Sequence, residues 1–299
     1  MRYFPLIAAV AGLAACQTGQ PDAERNPTLE AVGDSAASAT EASSPPAETA
    51  AAIRRVVPQL RGVWVQSAYL DAVARTRSPY QGWKSLAEVT EMHLAPPARS
   101  ADSLLVGASL GNHEGGQFAV YLRPGRHPQT LPTSFPDYQQ PGNYYELRYQ
   151  PAGADTTLHL DKYDRRHRRL SSVSYRRVQL PARLLAEDDL GLGLQYAVNA
   201  LLLTGRFAGQ DSAGRAVSLR FQPEGTVTGF PAAKRYFVAT DFGSGPENNL
   251  DVLTLEGPSA RQNFAYRFGH DTLRLYALRP DADHIDLRPA RLHYTLIRR

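Results

Sequence analysis

The chain has 299 residues, of which 42% are hydrophobic and 21% charged, an ordinary balance for a globular protein. Its 33 basic and 29 acidic residues give a net charge of +4, too small a positive excess for a nucleic-acid-binding protein. A single cysteine excludes an intramolecular disulfide and a metal site built from cysteines. We therefore expect no nucleic-acid partner, no metal and no cofactor.

Residues 1–15 have the pattern of a secretory signal peptide. Arg2 supplies a short basic start, and an apolar run extends from Phe4 to Leu13. This run of about 10 residues has the length of a signal-peptide core and is too short to cross a bilayer interior of about 30 Å. The run ends at Leu13-Ala14-Ala15-Cys16, with small residues before the only cysteine.

The sequence Leu13-Ala14-Ala15-Cys16 resembles the lipobox of bacterial lipoproteins. In that family the cysteine becomes the N-terminus after cleavage and carries acyl chains such as palmitate. The resemblance implies that Cys16 is lipidated, that a membrane is the partner of this end, and that the protein lies in the cell envelope. Gln17, where an Asp would favour the inner membrane, points to the outer membrane by the same resemblance. The alternative is a secreted protein with a chance cysteine.

Residues 16–57 are predicted to be a disordered tether behind the lipid. They are rich in Ala, Ser, Thr, Pro and Glu and have almost no aromatic side chains. Such a composition cannot bury enough apolar surface to offset the entropy of ordering. Only 47–57 is expected to form a helical turn or two.

From Leu60 onward, short segments with alternating apolar and polar residues are separated by Pro, Gly, Asn and Asp. This period of two predicts antiparallel strands with one solvated face. Two helices are expected, at 67–76 before Ser78-Pro79 and at 190–203 behind Asp188 and Asp189. Clear strand segments are 103–106, 117–122, 144–149, 217–221, 235–239 and 273–276.

The two halves of this β region repeat one order of features. The segments 145–149 and 264–268 are each followed by a Gly/Asp turn and a strand that opens near Asp-Thr. Each half then ends in a strand rich in Tyr and Arg, at 173–178 and 292–299. The repeat predicts a tandem pair of domains. The alternative is one irregular β domain whose amphipathic strands are alike by chance.

Each half also opens on a glycine followed two residues later by an aromatic residue, in Gly62-Val63-Trp64 and Gly205-Arg206-Phe207. This order resembles the lipocalin-like barrels of bacterial lipoproteins, in which Gly-x-Trp starts the first strand and the Trp closes the barrel base. The resemblance implies that Trp64 and Phe207 are barrel-base residues. Such barrels either fill with side chains or hold a small hydrophobic ligand. The second copy departs from the pattern by having Phe.

We therefore predict an all-β fold of two tandem small antiparallel β-barrels, lipocalin-like, with few short helices, after a disordered N-terminal tether. Barrels suit consecutive hairpins because they remove exposed strand edges. The oligomeric state is left open. The predicted divisions are a signal peptide at 1–15, the tether at 16–57, a first β domain at 58–180, a linker with a helix at 181–202 and a second β domain at 203–299.

Gly107-Ala108-Ser109-Leu110-Gly111 matches the Gly-x-Ser-x-Gly pattern of hydrolases. In those enzymes the Ser lies on a turn between a strand and a helix. Here Asn112-His113-Glu114 and two glycines predict a hairpin turn instead, and the His residues are scattered. We predict a non-catalytic protein and keep a hydrolase using Ser109 as an alternative.

The run 162–177 is the densest basic segment. Its Arg165, Arg166, Arg168 and Arg169 could bind anionic glycan, phosphate or lipid headgroups, or could be a solvated hairpin turn. The loop 241–251 resembles calcium ligands in composition without the spacing of an EF-hand, which favours a mobile loop at a barrel mouth.

The sequence therefore favours a membrane-anchored lipoprotein whose barrels bind a small ligand or have a structural role. An envelope interaction module that uses the basic run is the alternative.

Overall fold

A computed structural model describes residues 47–95, 102–150, 156–185, 189–230, 233–243, 249–258, 261–283 and 286–299. Cys16, the predicted signal peptide and most of the predicted tether lie outside these residues. His284 and residues 244–248 of the loop 241–251 also lie outside these residues.

Strands dominate the described part of the chain. The first sheet contains β1 (Gly62–Gln66), β2 (Val89–Leu94), β3 (Ser103–Leu110), β4 (Glu114–Tyr121), β5 (Thr130–Pro136), β6 (Tyr144–Gln150), β7 (Thr157–Tyr163) and β8 (Arg169–Val178). The second contains β9 (Gly205–Asp211), β10 (Ala216–Phe221), β11 (Val227–Thr228), β12 (Arg235–Val238), β13 (Val252–Glu256), β14 (Arg261–Gly269), β15 (Thr272–Pro280) and β16 (Leu287–Arg298). The α-helices are α1 (Ala47–Leu60), α2 (Ser67–Thr76), α3 (Pro79–Gly82), α4 (Ala182–Leu185) and α5 (Leu192–Leu202), with a 3-10 turn at Trp83–Ser85.

The first sheet is a closed antiparallel barrel in which each strand pairs with the next and β1 pairs with β8. The second sheet has the order β11-β10-β9-β16-β15-β14-β13-β12, so its first strand also pairs with its last. Its end strands meet through a bridge between Thr226 and Arg235. The Tyr236 amide also donates to the Gly225 carbonyl over 2.7 Å. The predicted fold of two barrel-like antiparallel sheets is confirmed.

The alternation of residues places one side of each strand inward. Leu104 and Val106 of β3, and Leu158 and Leu160 of β7, belong to the interior cluster of the first barrel. The predicted repeat falls on matching strands, because 145–149 lies in β6 and 264–268 in β14, the sixth strand of each sheet.

The two residues predicted to close the barrel bases have the same surroundings. Trp64 on β1 lies opposite Arg177 on β8, and Phe207 on β9 lies opposite Arg298 on β16. Both rings are fully buried. Each arginine guanidinium covers its ring, at 4.7 Å from the Trp64 centroid and 4.8 Å from that of Phe207. The face of an aromatic ring attracts a cation electrostatically. Each pair therefore stabilises the contact between the first strand of a sheet and its last.

A glycine opens each first strand because the backbone there is left-handed. Gly62 has a φ of 124° and Gly205 a φ of 131°, a region that L side chains rarely adopt. The Gly-x-aromatic pattern therefore combines a backbone requirement with a base residue.

The end of the predicted tether is helical rather than disordered. α1 runs from Ala47 to Leu60, longer than the expected turn or two in 47–57. Val57 and Leu60 are buried in the interior cluster of the first barrel. Tertiary packing at this end stabilises a short helix that alanine propensity alone would leave marginal.

Helix α2 has the predicted bounds, and its apolar face packs against the second half of the chain. Its Tyr69, Leu70 and Val73 are buried in one cluster with Leu194 of α5 and Leu253 of β13. The two sheets therefore share an apolar core, and all described residues belong to one compact unit. The helix ends at Arg77, a left-handed residue whose amide donates to the Val73 carbonyl.

A buried carboxylate joins the first barrel to α5. Glu91 on β2 is fully buried and accepts the amides of Gly191 (3.2 Å), Gly193 (3.2 Å) and Leu194 (2.5 Å). His93 also contacts this carboxylate through Nε2. The first amides of a helix need acceptors and favour negative charge. Glu91 therefore provides the negative charge at the helix start that the sequence suggested for Asp188 and Asp189. Asp188 lies outside the described residues, and Asp189 is exposed.

Gly193, near the start of α5, allows this contact. A Cβ on Gly193 would lie 2.2 Å from Val63 Cγ1 and 3.1 Å from the Glu91 carboxyl. Only a glycine lets the helix start approach β1 and β2 so closely.

We expect Glu91→Ala to lower the free energy of unfolding by about 2–4 kcal/mol, because it leaves helix amides buried without acceptors. Chemical denaturation measures this loss. Glu114→Ala, which removes an exposed carboxylate at the start of β4, is the control and should cost little. Equal losses in the two variants would contradict the role of Glu91.

Candidate functional site

Ser109 lies within a strand rather than on an exposed turn. It is 5% exposed, in β3, opposite Glu91 of β2 and Gly115 of β4. The turn that follows contains Gly111 and Asn112, both left-handed, and leads directly into β4. The strand–turn–helix geometry of a nucleophile elbow is therefore absent from this described segment.

Large apolar side chains occupy the interior of the first barrel. One surface depression of about 720 Å³ lies on the outer face of that barrel, and another of about 340 Å³ lies between α4, α5 and the second sheet. Interior side chains that are less than 2% exposed include Trp64, Met92, Leu104, Leu131, Leu147 and Leu158.

A groove of about 720 Å³ lies on the outside of the first barrel. We call it the basic groove and define it by Arg123, Arg126, Tyr144, Arg165 and His167, all of which line it. Tyr144 points outward because its neighbour on β6, Tyr145, belongs to the interior cluster. The groove is bounded by the β4–β5 loop, the start of β6 and the β7–β8 turn.

A buried carboxylate holds the β4–β5 loop against the barrel. Glu146 is 1% exposed and accepts the Arg126 amide at 2.8 Å through Oε1. Its Oε2 accepts the Thr130 hydroxyl at 2.7 Å and lies 2.9 Å from His127 Nδ1. The loop approaches so closely at Gly125 that a Cβ there would lie 2.2 Å from Thr130 Oγ1. The loop that carries Arg123 and Arg126 is thereby ordered.

A stack of rings fixes the position of the Arg126 guanidinium. His127 stacks on Tyr163 with centroids 3.9 Å apart, and Tyr163 stacks on Tyr144 at 5.4 Å. Arg126 lies 5.3 Å from the Tyr144 centroid, and its Nη1 donates to a His167 ring nitrogen over 3.1 Å. Burial, then the Glu146 charge, raises the pKa of Tyr144, so its hydroxyl remains neutral beside His167 at physiological pH.

Arg165 is held on the opposite wall of the groove. Its Nη2 donates to the Pro141 carbonyl over 2.6 Å. Its guanidinium packs on Gly142, where a Cβ would lie 2.0 Å from Nε. Gly142 also has a φ of 102°, so both the backbone and the close contact require glycine.

The predicted basic run is divided by the structure. Of the four arginines predicted to bind an anion, Arg165 lines the groove and Arg166 is exposed outside it. Arg168 pairs with Asp164 at 2.8 Å and Arg169 lies 3.9 Å from Asp161. Sequence reasoning missed Arg123 and Arg126, which lie in another loop about 40 residues earlier. Their signal was weak, since single arginines near Pro and Gly are common in loops.

An ion pair orders the loop that carries Pro141 and Gly142. Asp137 lies 2.7 Å from Lys162 Nζ and accepts the Asn143 side chain at 2.7 Å and the Gln139 amide at 3.0 Å. The hydrogen bond from Lys162, opposed by burial and assisted by the Asn143 and amide hydrogen bonds, lowers the pKa of Asp137 to about 2.

Other chemistry-bearing residues do not gather near the groove. His113 pairs with Asp241 at 2.7 Å, and this hydrogen bond raises the pKa of His113. No group of three His, Cys, Asp or Glu residues in the described ranges has the geometry to hold a metal ion. Within those ranges, no helix is long and apolar enough to cross a membrane.

Comparison with known protein families found no match, and comparison with curated proteins found none either. The geometry of the described residues therefore carries the functional argument.

We expect Lys162→Met to raise the pKa of Asp137 toward its usual range near 3.8. Because the pKa of Asp137 is lowered in the folded state, its contribution to stability is present above about pH 4 and is lost as the pH falls toward 2. Carbon-detected NMR titration measures the pKa. Lys84→Met, at an exposed site in the 3-10 turn, is the control. An unchanged Asp137 pKa in Lys162→Met would contradict this account.

Proposed function

We propose that this chain is a membrane-anchored, non-catalytic lipoprotein of the bacterial cell envelope, of the outer membrane in particular. In this proposal its two barrels are a scaffold, and the basic groove contacts the anionic groups of an envelope glycan. The single observation that carries the contact is that Arg126 and Arg165 line one groove and that protein contacts hold each guanidinium there.

The anchor is supported by the sequence around Cys16. A signal-peptide core precedes this only cysteine, and a spacer poor in large apolar residues follows it. Each acyl methylene that enters a bilayer contributes about 0.8 kcal/mol, so two or more acyl chains would give stable attachment.

The groove is supported by charge and by order. Among the described residues no ion pair joins Arg123, Arg126 or Arg165 to a carboxylate. The Glu146 carboxylate also lines the groove, but it is held by the Arg126 amide, Thr130 and His127. Arg126 and Arg165 are already held by protein contacts, which reduces the entropy lost on binding. Guanidinium groups bind carboxylate, sulfate and phosphate through paired charge-assisted hydrogen bonds.

A glycan fits the shape better than a flat bilayer does. The arginines lie in a depression between a loop and a hairpin turn, on the outer side of a curved sheet. A single extended chain can enter such a depression, whereas lipid headgroups are presented on a plane. The interior of the first barrel is lined by large buried apolar side chains, which offer no charged group to an anionic ligand, whereas the basic groove does.

We expect Cys16→Ser to abolish incorporation of labelled palmitate and to move the protein out of the membrane fraction. Circular dichroism of the variant is compared with that of the wild type, so that loss of labelling can be separated from loss of folding. Palmitate labelling that persists in Cys16→Ser would contradict the anchor.

We expect the double variant Arg126→Gln, Arg165→Gln to weaken binding of a sulfated polysaccharide about tenfold or more, through loss of charge-assisted hydrogen bonds. Affinity is measured by calorimetry at low and physiological salt, since charge contacts weaken with ionic strength. The matched control is Arg168→Gln, Arg169→Gln, whose wild-type guanidiniums lie near Asp164 and Asp161.

Equal losses in the two double variants would contradict the groove as the binding surface. Tight binding to phosphatidylglycerol vesicles together with weak binding to the polysaccharide would replace the glycan by a lipid surface.

A further inference from the structure

A second depression, of about 480 Å³, lies at the base of the first barrel. We call it the base pocket. It is bounded by the end of α1, by β1, β2 and β8, and by the segment that leads into α4. Its volume is within the range of small-molecule sites. Charged or polar lining residues include Arg61, His93 and Arg177, and apolar ones include Leu94, Leu180 and Leu185.

The repeat provides an internal comparison for Arg177. In the second sheet, the equivalent Arg298 donates through Nη1 to the Thr204 carbonyl at 2.6 Å and through Nη2 to the Leu202 carbonyl at 2.5 Å. In the first barrel, Arg177 donates to a backbone carbonyl through Nη2 only, at Gln59. Its Nε is buried without a hydrogen-bond partner in the described structure. The Arg298 guanidinium thus donates to backbone carbonyls through both terminal nitrogens, whereas the Arg177 guanidinium does so through one and lines a pocket.

The residue three positions before the aromatic ring also differs between the two sheets. Arg61 precedes Trp64 by three residues, and Thr204 precedes Phe207 by three. Arg61 is exposed and lines the base pocket, so it adds a second positive charge. No described carboxylate pairs with Arg61 or Arg177. The nearby Glu91 charge is already engaged by the α5 amides and His93.

The other wall of the pocket is apolar and partly open to solvent. Leu185 on α4 is 53% exposed, and Leu180 is half-buried. An exposed leucine beside guanidinium groups combines a surface that favours hydrocarbon with one that favours an anion.

We propose that the base pocket binds an amphipathic anion, an acyl chain with an anionic head. The head lies between Arg61 and Arg177, and the chain lies along Leu180 and Leu185. This site is separate from the basic groove and does not depend on glycan binding. Carboxylate and phosphate heads share this chemistry, so the two are compared directly in the test.

The test is calorimetry with the full-length chain and three probes below their micellar concentrations: dodecanoate, dodecyl phosphate and the neutral dodecanol. We expect at least one of the anions to bind about tenfold or more tightly than dodecanol, since only an anion uses the guanidinium donors. The tighter anion identifies the head. A spectroscopic readout is emission from Trp64, which lies under Arg177, in a Trp83→Phe background. Binding of that anion should shift this emission.

Arg61→Ala should weaken anion binding about tenfold with no change in Tm, because Arg61 is exposed. Leu185→Ser should weaken the binding of dodecanoate more than it weakens the binding of acetate. Thr204→Ala, at the position equivalent to Arg61, is the matched control and should leave both the anion affinity and the Tm unchanged. The proposal is overturned if neither anion binds, if dodecanol binds as tightly as both anions do, or if both Arg61→Ala and Leu185→Ser bind as the wild type does.

Discussion

The carboxylate of Glu91 is the contact on which the arrangement of the two sheets depends. It belongs to the first barrel, yet the amides it accepts begin the helix that leads into the second sheet. A helix start buried without an acceptor would be costly, and a buried carboxylate without donors would be costlier still. Each therefore requires the other. Gly193 makes the approach sterically feasible, and the shared apolar core around Tyr69 forms beside it.

Around this joint the two halves keep one design at their bases and differ elsewhere. An aromatic ring under an arginine closes each sheet, and the design accepts either Trp64 or Phe207 because cation and ring face attract in both cases. The arginines diverge in their hydrogen bonds. Arg298 donates to carbonyls through both Nη atoms, whereas Arg177 donates to a carbonyl through Nη2 only and its Nε has no partner in the described structure. The same contact between a ring and an arginine therefore occurs in both sheets, while the hydrogen bonds of the two arginines differ.

Much of the fold follows from local sequence pattern. Alternation predicts the strands, the apolar face of 67–76 predicts α2, and the Gly-x-aromatic pattern locates both first strands. Features that depend on distant contacts do not follow. α1 is extended by burial of Val57 and Leu60, and α5 begins on a carboxylate about 100 residues earlier in the chain. The basic groove also depends on a distant contact, since Arg126 donates to His167, 41 residues later in the chain. A local basic run could identify only Arg165.

The position of α2 has a consequence for the order in which the protein acquires its structure. The helix follows β1, but its apolar face is covered by residues from the second half of the chain. A nascent chain that has completed only the first barrel displays Tyr69, Leu70 and Val73 to solvent. A chain truncated after β8 would therefore expose an apolar surface that the complete chain buries, and such a surface favours aggregation.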